Sequence, residues 1–311
     1  MSRMHRGTIF LEDAQVLGTD RWPAGQHVLR MRAPAVAERA TPGSFVHVRC
    51  DSSLEMRRPM SVMRTNPVEG WFDLLFKEVG TGTRLLARRE RGDRLSVLGP
   101  IGRGFAPCAE RPVRLLVGGG VGIPPILFLA ERLAASRPVV LMGSEVPFPF
   151  DLEPSAIPEA GLPAGLALGC LERAQVPSRT ASRAGIPGCF DGTVTDLAQR
   201  WLELRSSLVG DELRPSLDRI ELRPSLDGVE LRPSLDRVEL FACGPEPMLR
   251  AVAALGRDFG VPCQLALEER MACATGGCAG CTVLVRTPDG PAMKRVCVDG
   301  PVFDGASVYG A

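Results

Sequence analysis

Cys273-Ala274-Thr275-Gly276-Gly277-Cys278-Ala279-Gly280-Cys281, with Cys297 further on, is the stretch from which the chain is best read. Its spacing is C-x4-C-x2-C…C, the cysteine run of plant-type 2Fe–2S proteins. Four thiolates must converge on two irons, and three of them come from one tight loop. Cluster sulfurs attract backbone N–H groups, so the main chain has to press close. Ala274, Gly276, Gly277, Ala279 and Gly280 carry no bulk to prevent this, and glycine tolerates the turns required. The flanks Cys263–Leu267 and Thr282–Arg286 alternate like strands and predict a rigid base for the loop. A zinc knuckle is the competing reading. Zinc sites use two short Cys pairs, which three cysteines in one loop and a distant fourth match poorly.

Composition narrows the class. A chain of 311 residues predicts two or three domains, and 45% hydrophobic residues support real cores. The net charge is +1 with both signs interspersed, which points to neither nucleic acid nor an acidic membrane surface. The first ten residues lack an apolar signal core. The longest uncharged apolar run, Leu115 to Ala130, is broken by Gly and Pro and is shorter than the ~20 residues a bilayer needs. The expectation is a cytoplasmic protein with no membrane partner. Ten Cys in a chain this long do not make the disulfide framework of a small secreted domain. Most of the six outside the cluster set are expected to be ordinary small buried side chains.

The N-terminal third reads as short strands and turns. Thr8–Leu11, His27–Met31, Phe45–Cys50, Trp71–Val79 and Arg94–Leu98 are strand candidates, with no helical segment before Thr83–Arg89. This predicts a small antiparallel barrel. Within it, Arg58-Pro59-Met60-Ser61 sets a cation and a hydroxyl beside a stiff proline. Gly80-Thr81-Gly82-Thr83 opens a short helix, and free N–H groups at helix starts favour phosphate. Two such devices one strand apart suggest a dinucleotide. His47 is read as a surface residue.

At Val113 the pattern changes to alternating strands and helices. Val113–Val117, Val139–Met142 and Val238–Ala242 are strands, with Gly165–Leu171 as a further candidate. Helices are expected from Pro124 through Ala135, over Thr193–Leu204 and over Glu246–Arg257. The fold class is an open, mostly parallel α/β sheet joined to the barrel and the cysteine segment. Ligands bind at the carboxyl ends of such strands. Gly118-Gly119-Gly120-Val121-Gly122 and Cys243-Gly244-Pro245 are turns at that end. The first is not G-x-G-x-x-G, so the pair together carries the nucleotide reading. Glu145, after the second strand, would repel a 2′-phosphate and favours NAD over NADP. From Glu203 a nine-residue repeat begins again at Glu212, Glu221, Glu230 and Glu239. Its near-identical copies read as a duplicated surface insertion, over about residues 203–238.

A flavin barrel, a nicotinamide domain and a C-terminal cysteine loop in that order resemble the ferredoxin–NADP reductase superfamily. The chain is most similar within it to the electron-transfer subunits of class 1B dihydroorotate dehydrogenases. The residues carrying this are Arg57-Arg58-Pro59-Met60-Ser61, Leu75-Phe76-Lys77, Gly80–Leu86, Leu98–Gly102, Gly118–Pro125, Phe241–Leu249 and Glu269–Cys281. The resemblance implies FAD on Arg58, Pro59, Met60, Ser61, Leu75, Phe76, Lys77, Gly82 and Thr83. It implies NAD, as a substrate, at Gly118, Gly119, Gly120, Gly122, Pro124, Cys243, Gly244 and Pro245. It implies a 2Fe–2S cluster on Cys273, Cys278, Cys281 and Cys297. The units become 1–109 for FAD, 110–259 for NAD and 260–311 for the cluster.

Function follows from those parts. NAD exchanges electron pairs and an iron–sulfur centre single electrons, so the flavin must lie between them. The resemblance implies electrons arriving from an FMN-containing catalytic subunit, in a heterotetramer of two of each, for pyrimidine biosynthesis. No catalytic residue for oxidising dihydroorotate is expected here. The other readings are a reductase subunit of a different NAD(P)H-linked complex and a zinc-stabilised nucleotide sensor. Deleting the repeat segment Leu213–Arg237 should leave the visible spectrum and diaphorase activity intact; loss of bound flavin would contradict the surface-insertion reading.

Overall fold

The computed structural model describes residues 8–212 and 235–310. Its first unit is a closed antiparallel barrel of six strands: β1 (Phe10–Trp22), β2 (Gln26–Arg32), β3 (Phe45–Val48), β4 (Arg58–Asn66), β5 (Trp71–Lys77) and β6 (Arg94–Ile101). They close in the order β1-β2-β5-β4-β3-β6. Alternation fills the interior: Leu95 and Val97 of β6 point inward with Leu29, Met31, Val62 and Leu74. On the outer face of the barrel wall Asp73 is 1% exposed, yet satisfied by Arg30, whose Nε and Nη2 donate at 2.7 and 2.8 Å. Arg30 in turn stacks over Trp71 at 3.6 Å.

Two helices interrupt the strands, α1 (Pro34–Arg39) and α2 (Thr81–Leu86). The first was not expected, because six residues are too short to show a helical period. Pro34 opens it, and the Glu12 carboxylate accepts from the free N–H groups of Ala35 and Val36 at 3.3 and 2.9 Å. β4 also escaped the reading, since its Arg-Pro start looks like a turn. His47 corrects an expectation outright: it is 1% exposed. It sits on the outer face of β3, covered by the segment around Met271. Burial lowers its pKa, the Met271 main chain works against that, and Arg57 and Arg58 add to the lowering, so the ring stays neutral.

The second unit is built on β7 (Val113–Gly119), α3 (Ile123–Arg132), β8 (Val139–Gly143), a small hairpin of β9 (Leu152–Pro154) and β10 (Leu166–Leu168), and α4 (Gly169–Arg173). It continues through β11 (Ser178–Ser182), β12 (Phe190–Asp191), α5 (Val194–Glu212), β13 (Val238–Cys243), α6 (Glu246–Asp258) and β14 (Cys263–Ala266). Beyond β14 come the hairpin β15 (Thr282–Thr287) and β16 (Gly290–Arg295), then β17 (Val302–Asp304) and α7 (Gly305–Tyr309). The main sheet runs β12-β11-β8-β7-β13-β14-β17. All its pairings are parallel except β14 with β17. Two strands of the stretch 260–311 therefore complete this sheet, and the cysteine loop grows from its edge. The candidate strand Gly165–Leu171 is β10 followed by α4, paired with β9 outside the main sheet.

Helix character follows side-chain pattern. In α6, Leu249, Val252, Ala253 and Gly256 are buried on one face, while Arg250 and Glu246 pair outside at 2.7 Å. α3 is different: every residue from Ile123 to Ala130 is buried. A helix apolar all round is enclosed on all sides. The sheet covers one side and the barrel the other, with Phe128 reaching the barrel core and Arg64 of β4 bonding Glu131 at 2.5 Å.

The first repeat copy, from Glu203, continues α5 beyond the expected Leu204 to Glu212. Trp201 anchors that helix, fully buried, with its indole N–H on Glu159 at 3.0 Å. The copy starting at Glu239 lies in β13, where the carboxylate accepts from Cys108 N at 2.9 Å and Gln264 Nε2 at 2.8 Å. Repeat copies between residues 213 and 234 lie outside the described residues. Among the described residues no helix is long and apolar enough to cross a membrane.

The turn after β7 packs directly on the turn after β13. A Cβ on Gly122 would stand 2.3 Å from the Cys243 carbonyl carbon and oxygen, a clash with rigid main chain. Gly122→Ala should therefore cost about 1–3 kcal/mol. Gly18→Ala, where a Cβ meets nothing within 4 Å, should change stability little. Thermal unfolding of both variants followed by circular dichroism checks the contrast.

Candidate functional site

Strands β4 and β5 leave a cleft of about 320 Å³ on the outer face of the barrel. Arg58, Pro59, Met60 and Ser61 line it from β4, Leu75, Phe76 and Lys77 from β5, and Thr83 from α2. Most of the expected flavin set thus comes together on one wall. Arg58 Nη1 bonds only the carbonyls of Met56 and Arg57, both at 3.3 Å. Among the described residues no carboxylate pairs with Arg58, so its charge faces the cleft. Gly82 has a different use: a Cβ there would lie 3.2 Å from Arg58 Nε, so the glycine leaves room for that side chain. Thr83 Oγ1 accepts from Val79 N and Gly80 N at 3.0 and 3.1 Å and donates to Gly80 O, which closes the turn into α2. Phe76 is fixed by stacking on His27, with ring centroids 5.2 Å apart, and His27 Nε2 bonds Glu78 at 2.7 Å.

The opposite wall comes from the sheet. Pro125 of α3, Cys243 at the end of β13, Glu268 and Met271 close it. Complete burial pushes the Cys243 thiol up. Burial likewise raises Glu268, favouring its neutral form.

A second cavity, of about 670 Å³, opens at the carboxyl ends of β7, β8, β11 and β13. Of the residues expected to bind a nicotinamide dinucleotide, Gly119, Gly120 and Pro245 line it. Gly118, Gly122, Pro124 and Gly244 stand behind the wall, where they allow close packing. A Cβ on Gly118 would meet Met142 Sδ at 2.6 Å, and one on Gly244 would meet Met248 Cε at 2.6 Å. Glu145 lines the cavity as expected. Val121 of the expected turn lines it as well, and so do Met248 of α6 and Arg183, Thr193 and Thr195 after β11 and β12, which were not foreseen. Their strands gave little signal: β11 reads Ser-Arg-Thr-Ala-Ser and β12 is two residues long. The two cavities share Leu75, Phe76, Lys77 and Val121. They lie side by side across these residues, with Val121 half exposed where they adjoin.

The cysteine loop starts at the rim of the smaller cavity, which Met271 lines two residues before Cys273. Inside the loop Ala274 and Ala279 adopt left-handed φ of 56° and 53°, and Gly276 one of 84°. These turns aim N–H groups at sulfur: Cys278 N lies 3.4 Å from Cys273 Sγ, and Gly280 N 3.4 Å from Cys278 Sγ. Arg295 Nη1 clamps the loop through Gly276 O at 3.0 Å. Cys281 and Cys297 are buried with sulfurs 3.3 Å apart, while Cys278 is exposed. Among the described residues no trio of His, Cys, Asp or Glu closes on a single point. Three soft thiol donors on one small, strained loop, two of them receiving N–H groups, with Cys297 brought against Cys281, fit an iron–sulfur cluster.

Comparison with known proteins is consistent along the whole chain. The family model described as "Iron-sulfur cluster binding domain of dihydroorotate dehydrogenase B" matches residues 268–309. The protein from Desulforamulus reducens named "Dihydroorotate dehydrogenase B (NAD(+)), electron transfer subunit" is 28% identical over 295 residues, 94% of this chain and 95% of its own. Its namesake from Bacillus caldolyticus is 33% identical over 290 residues, 90% of this chain and 91% of its own. Among solved structures, one of the NADH-dependent reduced ferredoxin-NADP oxidoreductase shares the fold at TM-score 0.69 and 24% identity, covering 96% of this chain and 90% of that one. The ferredoxin reductase of carbazole 1,9a-dioxygenase shares it at TM-score 0.53 and 19% identity, covering 81% of this chain and 67% of that one.

The loop cysteines differ in acidity in the metal-free chain. Burial pushes Cys273 up, but the N–H groups of Cys278 and Thr275 outweigh it and bring the thiol down to about 6. Cys297 is pushed up to about 12 by burial and by the Cys281 thiol beside it. A lowered thiol pKa means thiolate above that pH, and thiolate is the reactive form. At neutral pH iodoacetamide should label Cys273 at least about tenfold faster than Cys297, with half-maximal rate near the lower value. Peptide mass mapping across a pH series checks it.

Proposed function

The chain belongs to the electron-transfer subunits of NAD(+)-dependent dihydroorotate dehydrogenase B, and from that membership we propose how its parts divide the work. It is an oxidoreductase subunit that carries electrons from a dihydroorotate-oxidising partner, through a 2Fe–2S cluster and FAD, to NAD+ in pyrimidine formation. The units 1–109, 110–259 and 260–311 hold FAD, NAD and the cluster in turn.

In this reading Arg58 offers its unpaired charge to the FAD diphosphate, while Pro59 to Ser61 and Leu75 to Lys77 form the wall against the ring. Gly119, Gly120 and Pro245 hold NAD in the larger cavity. Cys273, Cys278, Cys281 and Cys297 ligate the irons. FAD, when bound, converts between paired and single electrons, which neither NAD nor the cluster can do alone. The protein's part is placement: Leu75, Phe76, Val121 and Pro125 give the junction apolar walls. The observation that carries the reading is the order of the sites: the larger cavity adjoins the smaller one through Leu75, Phe76, Lys77 and Val121, and the smaller one reaches Met271 at the start of the cysteine loop.

The partner is the FMN-containing catalytic subunit, two copies with two of this chain, in the cytoplasm. It docks against the exposed side of the cysteine loop. Cys278 is open there, beside a groove lined by Met56, Arg270 and Gly280, and Met56 is 49% exposed. Two of the three histidines offer nothing for substrate oxidation, since His27 is committed to Glu78 and His47 is buried; His5 lies outside the described residues.

Protein purified without oxygen should contain iron, acid-labile sulfide and FAD. Arg58→Ala should keep the cluster and hold FAD at least about tenfold more weakly, the worth of one charged hydrogen bond. Cys297→Ala should lose the cluster and keep FAD. Mixed with the catalytic subunit, the native chain should form NADH from dihydroorotate. Brisk NADPH oxidation with no NADH from dihydroorotate would overturn the assignment.

A further inference from the structure

The far end of the larger cavity carries an ion pair. Glu145 follows β8 and Arg183 follows β11, neighbouring parallel strands that end together. Arg183 Nε stands 3.5 Å from Glu145 Oε1. Among the described residues only three charged side chains line the cavity: Lys77, Glu145 and Arg183. Lys77 also lines the smaller cavity and so marks the junction. The pair is therefore the charged feature of the other end.

In an open parallel sheet that position meets the ribose next to the adenine. A carboxylate there accepts from the ribose hydroxyls, and an arginine there takes the 2′-phosphate that distinguishes NADP. This chain has both. We propose that Glu145 and Arg183 act as one device that selects NAD over NADP, Glu145 occupying the guanidinium that would otherwise receive the 2′-phosphate. The inference rests on reading this cavity as the dinucleotide site.

The chemistry of the two anions decides the outcome. A 2′-phosphate brings about −1.5 to −2 charges and three acceptor oxygens. Arginine presents a planar fork that matches two such oxygens. Glu145 interferes twice, by repelling the phosphate and by holding the fork. Both side chains are more than half exposed, 66% for Arg183 and 56% for Glu145. A pair so exposed binds weakly, and Arg183 is free to turn once its partner is neutral. Gly143 and Ser144, which lead into Glu145 on the same wall, add no bulk beyond a hydroxyl. Exclusion of NADP is thus electrostatic, and removing one charge should reverse it.

The test uses the intact flavin- and cluster-loaded chain and measures dissociation constants for NAD+ and NADP+ by calorimetry. Glu145→Gln should tighten NADP+ at least about tenfold, the scale of one charged hydrogen bond, and weaken NAD+ only a few-fold. The gain should shrink as salt screens the exposed charges. Glu145→Gln combined with Arg183→Gln should erase it. No gain in the single variant, or a gain that survives in the double variant, overturns the proposal. Ala251→Trp, which fills the cavity from α6, separates this from the reading beneath it. Unchanged NAD+ binding in a folded, flavin-containing Ala251→Trp protein would show that the cavity is not the dinucleotide site. Blocked binding there with no gain in Glu145→Gln would leave the cavity assigned and remove the ion-pair device alone.

Discussion

Enclosure of α3 between barrel and sheet is the constraint on which the site depends. Ile123 to Ala130 have no polar face to offer water, so the two units cannot separate without exposing the helix on one side. Burial raises the Arg64-paired Glu131, and the guanidinium offsets that, so the charge at this interface is compensated. Because α3 is fixed, its leading turn is fixed, and Val121 and Pro125 are held against β5. That sets the two cavities side by side, sharing Leu75, Phe76, Lys77 and Val121.

How much of this could be read from residues alone depended on how local each signal was. The cysteine loop is local: its ligands, small spacers and strand flanks lie in one stretch, and the structure puts the left-handed turns at Ala274, Gly276 and Ala279. Four of the six barrel strands and the β7–α3 unit were legible too, because a period of two or a continuous apolar strand needs no partner to be seen, whereas β4 and most of β1, expected only at Thr8–Leu11, were not. What stayed hidden was relational. Gly82 matters through Arg58, twenty-four residues away, and Gly122 through Cys243. Arg183 reaches the cavity from a polar strand with no apolar pattern. His47 looked like a surface side chain because a strand's outer face is usually wet, and only the chain around Met271 covers it.

The repeat shows context deciding structure. The dipeptide Glu-Leu begins both the copy at residue 203 and the one at 239. Glu203 lies exposed on α5, bonded to Gln199 one turn back at 2.7 Å. Glu239 is 4% exposed in the middle of a parallel sheet and tolerable there because two donors reach it. In the first case helix propagation decides, and in the second the neighbouring strands β7 and β14 do.

The hairpin of β15 and β16 has its two feet at Cys281 and beside Cys297, where the strand ladder ends at Thr282 opposite Arg295 and the bond from Val296 N to Cys281 O at 3.0 Å extends it. It presents Leu284 and Met293, each about three-fifths exposed, to solvent. A cluster held by both Cys281 and Cys297 would tie the same two feet a second time, so assembling the inorganic centre would also brace the hairpin that carries this apolar surface.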